Sequence, residues 1–282
     1  MNKHHEHFLL NGELISGNIN SHSLLNRGFL YGDGFFESMR FEKNKILLLD
    51  DHLHRLHRSL VLMEMSGQGF PDKQEMISYA QQLIKANHNG DYARLRLTVF
   101  RDSSGFYAPE GSKASWVLQS SALEGIYVWP EKGIHIGIYT RQSKARGPYS
   151  SIKSTSSLFY IMAALHAQKE HWDDALVLNT SGNIIEATSS NVFLVYNKTL
   201  ITPPLSEGCV DGVFRKFILD LADKKGIPFR EQMVTETELN LATEIFLTNT
   251  IRGIRWVDRL GEKYFENKVA KELFSLLLKE IH

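Results

Sequence analysis

The chain has 282 residues, 43% of them hydrophobic and 23% charged, which is room for one large domain or two modest ones, and two are expected. Its 32 basic and 32 acidic residues cancel, so there is no basic field to attract nucleic acid or an anionic membrane, and neither is an expected partner. One cysteine, Cys209, permits no intrachain disulfide, and no apolar run nears the roughly 18 residues of a membrane span. The start, MNKHHEHFLLNGEL, lacks the apolar core of a signal peptide, so a cytoplasmic location is expected. Its His4, His5 and His7 read as a solvated polar tract, and no metal is expected.

In chain order, FLLNGELI is a short strand turning at Asn11-Gly12. Alternation from Phe35 to Phe41 predicts a strand, and NKILLLDD a second, tipped by Asn44. Asp50 or Asp51 then caps a helix whose apolar positions Leu53, Leu56, Leu60 and Met63 recur at three and four. A second helix near 72–87 leads into the strands YARLRLTVFR and SWVLQSSAL, so residues 1–122 form a small α/β domain. Residues 123–131, with Gly125 and Pro130 and no clear period, read as a linker. The larger domain, 132–282, opens with the strand GIHIGIYT and a helix over 153–170 whose buried face is Leu158, Phe159, Ile161, Met162 and Leu165. The strands DALVLN, NVFLVYN and TLITPP, a helix over 211–225, a strand and a terminal helix follow. Strands outnumber the crossovers of a doubly wound sheet, so the fold class is α/β with mixed, α+β-like sheets.

Several chemistries are absent from the sequence. There is no phosphate loop ending in Gly-Lys-Ser/Thr, no Gly-x-Ser-x-Gly elbow, no paired-cysteine zinc site and no His-Glu-x-x-His, and GDGFFE lacks the third glycine of a dinucleotide fingerprint. In DDHLHRLHRSL, His54, His57 and Arg58 share a helix face while His52 lies far round the cylinder, a poor metal cage. Arg55 either belongs to a polar face or turns inward to meet an anion. Lys153, in SSIKSTSS, reads locally as a snorkelling surface lysine. Two distant features raise its standing. Glu186 sits in apolar company, where an unpaired carboxylate is costly, while the glycine-punctuated SEGCVDGVFR enters a helix whose backbone N–H groups, with Thr250 of LTNTIRG, suit a phosphate. A lysine, a lone carboxylate and a phosphate cradle are what pyridoxal 5'-phosphate requires.

From NRGFLYGDGFFESMR through DHLHRL, SIKS, DALVLNTSGNIIEATSSNVF and GCVDGVFR to TNTIRGI, the chain resembles the class IV aminotransferases, fold-type IV enzymes with the cofactor between two domains. That family includes branched-chain aminotransferases, D-amino acid aminotransferases and aminodeoxychorismate lyases. The resemblance implies that Lys153 is the Schiff-base lysine, which also moves a proton between the substrate Cα and the cofactor and therefore needs a neutral amine. It implies that Glu186 is the partner of the pyridine nitrogen. Arg55, Thr250 and the backbone of Val213 and Phe214 match phosphate-binding positions, and Tyr31, Phe36, Arg40, Tyr92 and Arg94 match the substrate pocket, with Arg27 nearby.

The implied reaction is transfer of an amino group between an amino acid, of D or branched-chain type, and a 2-oxo acid such as 2-oxoglutarate or pyruvate. Arginines drawn from Arg27, Arg94 and Arg96 would meet substrate carboxylates. YAR at 92–94 and Glu37 resemble branched-chain enzymes; Leu158 in place of their tyrosine, and Phe214 in place of threonine, resemble the lyases. A lyase would use the same lysine and cofactor to eliminate pyruvate, and a cofactor-binding protein without turnover is a third reading. A homodimer is the expected assembly.

Overall fold

The computed structural model describes residues 7–16 and 26–281, so His4 and His5 lie outside the described residues. The chain divides into two compact units, Met1–Ile126 with Lys153–Ser156, and Tyr127–Ile152 with Ser157–His282.

In the first unit, β1 (His7–Leu10), β2 (Glu13–Ser16), β3 (Gly34–Glu42), β4 (Lys45–Ile46), β5 (Tyr92–Arg101) and β6 (Ala114–Ala122) form one sheet in the order β2-β1-β6-β5-β3-β4. Every pairing in it is antiparallel. The helices are α1 (Arg27–Tyr31), α2 (Leu49–Leu62) and α3 (Lys73–Ala86). Successive strand side chains point to opposite faces. The register Phe36↔Thr98, Ser38↔Arg96, Arg40↔Arg94 therefore gathers those residues on one face and Phe35, Glu37, Met39, Leu95 and Leu97 on the other. The second face is buried, with α2 against β3 and α3 against β1 and β6.

Two local expectations change. The strand NKILLLDD shrinks to Lys45–Ile46, because Lys43 and Asn44 turn with positive φ and α2 already begins at Leu49. Neither Asp50 nor Asp51 caps that helix. Its cap residue is Leu48, with φ 56° and no side-chain hydrogen bond, and both aspartates lie inside the first turn, where their charge favours the helix dipole.

The second unit holds β7 (Ile134–Lys144), α4 (Leu158–Lys169), β8 (Asp174–Asn179), β9 (Ile184–Ala187), β10 (Asn191–Tyr196), β11 (Thr199–Thr202) and α5 (Val213–Lys224). It continues through β12 (Phe229–Glu231), α6 (Glu236–Leu241), β13 (Glu244–Asn249), β14 (Gly253–Leu260), β15 (Lys263–Tyr264) and α7 (Lys268–Ile281). Its sheet runs β12-β11-β10-β13-β14-β7-β8-β9, with β15 on β14. The pairs β11/β12, β14/β7 and β7/β8 are parallel and the rest antiparallel, so the mixed-sheet expectation holds.

The helix predicted from residue 153 begins only at Leu158. Lys153–Ser156 belongs to the first unit and lies extended along β3. There Phe36 N–H donates to the Lys153 carbonyl at 2.9 Å, and Thr155 N–H to that of Gly34 at 3.0 Å. The predicted buried face of α4 is also corrected. Ala163 and Ala167 are its buried residues, whereas Leu158 is 70% exposed and Ile161, Met162 and Leu165 lie at 44–53%. Helical spacing identifies an apolar stripe but not what covers it, and in this chain the small alanines make the close approach to β7 and β8.

Candidate active site

In the first unit the extended segment beside β3 sets Lys153 over the sheet face that carries Phe36, its Nζ 4.6 Å from that ring's centroid. The Arg96 guanidinium lies 3.8 Å from the same centroid. One aromatic plate thus serves two cations, with Arg94 and Tyr92 further along β5 on the same face. Arg94 Nε is buried without a hydrogen-bond partner. Burial, and then the charge of Arg94, lower the pKa of Arg96, so both disfavour its charged form.

The other expected pocket residues are differently engaged. Arg27 is buried, donating from Nε to Asp33 at 2.8 Å and from Nη1 to the carbonyls of Gly105 and Phe106 at 2.8 and 2.6 Å. It thus holds the 105–107 loop to α1. Tyr31, at the end of α1, packs 5.7 Å from Tyr107. Arg40 is buried against Glu42 at 2.5 Å and also donates to the Gly125 carbonyl.

Arg55 turns inward, and the anion it meets is the chain's own Glu37. Nε and Nη2 form a fork on its two oxygens at 2.7 and 2.5 Å, and His52 Nδ1 lies 2.7 Å from Oε2. All three side chains are buried. Burial alone would raise the Glu37 pKa; the Arg55 charge, with hydrogen bonds from His52 and Arg55, outweighs it and brings the carboxyl to about 2. An ionised carboxylate only accepts, so His52 carries its proton on Nδ1. The helical wheel that puts His52 away from His54 puts it beside Arg55, three residues on.

In the second unit Glu186 is buried on β9 and accepts three hydrogen bonds. Lys144 Nζ and Tyr160 Oη donate to Oε1 at 2.9 and 2.7 Å, and Val210 N–H donates to Oε2 at 2.9 Å. A carboxylate offers about four acceptor sites, so one on Oε2 remains for a ring N–H. Burial and the neighbouring Glu186 raise the pKa of Tyr160, keeping it a donor, and push the Cys209 thiol up to about 12.

Helix α5 starts at Val213 with Gly212 as its cap residue, and no side chain caps it, leaving the first-turn N–H groups of Val213 and Phe214 for an anion. A Cβ on Gly212 would overlap Asn191 Oδ1, so the close approach requires glycine. Thr250 sits at the β13–β14 turn, its carbonyl accepting from Tyr127 Oη at 2.5 Å. The open acceptor site on Glu186 and the uncapped helix are chemically suited to the two ends of pyridoxal 5'-phosphate.

Four participants escaped the sequence reading. Glu37 was detectable as a carboxylate in phase with Phe35 and Met39 on the core side of an alternating strand, and His52 by its spacing from Arg55. Lys144 sits in the polar run RQSKAR, and Tyr160 lies two residues beyond Leu158; neither carries a local signal.

The two sheets are those of a fold-type IV pyridoxal-phosphate enzyme. Residues 34–260 match the family described as amino-transferase class IV, and the chain belongs to that family. It is 28% identical over 270 residues to a putative branched-chain-amino-acid aminotransferase of Methanocaldococcus jannaschii, covering 95% of this chain and 92% of that one. It is likewise 28% identical to a D-alanine aminotransferase of Bacillus licheniformis, covering 86% and 84%. A 4-amino-4-deoxychorismate lyase of Pseudomonas aeruginosa superposes with a TM-score of 0.84 at 25% identity, covering 97% and 99%. The protein is accordingly a pyridoxal-phosphate-dependent transaminase by class.

Proposed function

We propose that this enzyme moves an amino group between an amino acid and a 2-oxo acid, at least one of them carrying two carboxylates. The observation that carries the substrate class is the pair Arg94 and Arg96. Among the described residues neither has an acidic partner, whereas Arg27, Arg40, Arg55, Arg101, Arg215 and Arg255 are each paired within the chain. Half-buried guanidinium groups side by side on one sheet face call for an anion from outside.

Bound pyridoxal 5'-phosphate supplies an aldehyde that takes up amines and a ring that draws electrons from the substrate Cα. Lys153 Nζ would hold that aldehyde and would serve as the base for the proton on the substrate Cα. Glu186 would take the ring N–H, and Thr250 with the backbone N–H groups of Val213 and Phe214 would hold the phosphate, whereas Arg55, also expected there, has Nε and Nη2 engaged by Glu37. Phe36 and Tyr92 border the substrate, and Arg94 and Arg96 read its carboxylates, with Arg27 and Arg40 as supports because their donors are engaged within the chain.

Aminodeoxychorismate lyase is the second reading, supported by Leu158 and Phe214 and by the likeness to a lyase structure. Mixing the enzyme with D-alanine, L-leucine and D-glutamate in turn separates the two. Conversion of the bound cofactor to its pyridoxamine form, strongest with the dicarboxylic acid, is expected. No response to any amino acid, with pyruvate released from aminodeoxychorismate, overturns the first reading.

For assembly we infer a homodimer. The stripe Leu158, Ile161, Met162 and Leu165 supports it as apolar surface that none of the described residues covers, and sedimentation of Leu158→Ser/Ile161→Ser tests it. We place the enzyme in the cytoplasm, consistent with a lone free cysteine.

A further inference from the structure

The buried carboxylate of Glu186 already has a cation of its own. Lys144 Nζ is 2.9 Å from Oε1, with side-chain exposures of 15% and 4% for the lysine and the glutamate. The same ammonium donates to the Ser150 carbonyl at 2.8 Å and lies 5.3 Å from the Tyr160 ring centroid. Tyr160 Oη donates to the same Oε1, while among the described residues Oε2 receives only Val210 N–H. The carboxylate is therefore polarised. One oxygen is saturated by a charged and a neutral donor, and the other keeps an acceptor site.

We propose that Lys144 is a positioning residue for the ring-nitrogen site. It pairs the Glu186 carboxylate through Oε1 and keeps its Oε2 edge presented before any heterocycle binds, and in doing so weakens the hold of Glu186 on a protonated ring nitrogen. The inference rests on the cofactor reading above. Its physical content is competition between two cations for one carboxylate. Without Lys144, the protein lacking cofactor buries an unpaired anion, which is strongly destabilising, and a pyridinium arriving at Oε2 relieves a larger deficit than in the wild type. A lysine that only pinned the end of β7 to Ser150 would cost the two states equally.

Thermal unfolding with and without saturating pyridoxal 5'-phosphate reads this difference. Lys144→Met is expected to lower the melting temperature of the cofactor-free protein by on the order of 5–10 °C and that of the loaded protein by less than half as much. The cofactor-induced gap thereby widens. Lys144→Arg keeps the wild-type gap, and Lys144→Gln, which retains a donor without charge, widens it even if the methionine variant does not fold. With 1-deazapyridoxal phosphate, whose ring has C–H in place of the nitrogen, the widening disappears. Equal losses in both states, or the same widening with the deaza analogue, overturn the role of Lys144 alone. Failure of pyridoxal phosphate to stabilise even the wild type overturns the cofactor reading and this inference together.

Discussion

The two faces of the first unit's sheet treat arginine in opposite ways. On the face covered by α2, Arg55 is forked onto Glu37 with His52 behind it, a cation whose anion was provided when the chain folded. On the other face Arg96 stands over Phe36 with Arg94 next along the same strand face, and among the described residues neither has an acidic partner. The first arrangement fixes structure; the second is suited to an anion that comes and goes. A charge count cannot tell these roles apart, because both faces contribute the same residue type.

The largest effect should come from the face that carries Phe36 and Lys153. Lys153→Ala removes the amine beside Phe36 and should abolish both turnover and the visible absorption of the cofactor, read by spectrophotometry; a variant keeping either sinks the assignment. Stability should hardly change, because the backbone bonds between Lys153 and β3 survive the substitution. On the helix-covered face the balance reverses. Glu37→Ala strands a buried guanidinium and should cost about 3–5 kcal/mol in urea unfolding. A loss below about 1 kcal/mol would mean that Arg55 does not depend on Glu37 and would erase the contrast between the faces.

Acid titration sharpens the same contrast. The Glu37 carboxyl titrates at about 2, against a usual 4.5, so the folded state binds its proton later than the unfolded chain does. The resulting stability, about 3 kcal/mol, is complete above pH 4.5 and is lost as pH falls from 4.5 towards 2. Burial lowers the pKa of His52 more than its contact with Glu37 raises it, so the unfolded chain gains the histidine proton first. That adds a loss in the same direction, beginning below the usual value of 6.5. The urea midpoint should fall on acidification from pH 7 to 3 in the wild type and fall less in Glu37→Gln; parallel curves would contradict the buried pairing.

Much of this was legible in the sequence, for identifiable reasons. The period-two strands β3, β5 and β6 follow from alternation, and the helix expected near 72–87 is α3, where the structure adds an Asp72–Glu75 capping box. Glu186 could be singled out because a lone charge in apolar text is conspicuous, whereas Lys153, among serines, stood out only through Glu186, the two phosphate-type loops and the family resemblance. The supporting residues could not be. Lys144 reaches Glu186 across 42 positions and Arg55 reaches Glu37 across 18, and long-range pairs leave no periodic trace. The exposed stripe on α4 misled for the opposite reason, since an apolar helix face looks the same in sequence whether the chain buries it or leaves it open.

The smallest effect on stability, and the most selective on activity, belongs to Arg96→Met. Its contact with Phe36 is worth about 1 kcal/mol or less at a partly solvated site. Removing it also relieves the burial and the Arg94 repulsion that lower its pKa, so the urea midpoint should move by no more than about 1 kcal/mol in free energy. A substrate carboxylate that has lost its charged partner should lose roughly 1.5–3 kcal/mol of binding, or about tenfold to a hundredfold in kcat/KM for the dicarboxylic substrate. Monocarboxylic substrates should be nearly unaffected, since the deleted group reads the second carboxylate. Equal losses for both substrate classes would place Arg96 with the α-carboxylate, and a large stability loss with unchanged selectivity would make it another structural cation, like Arg55.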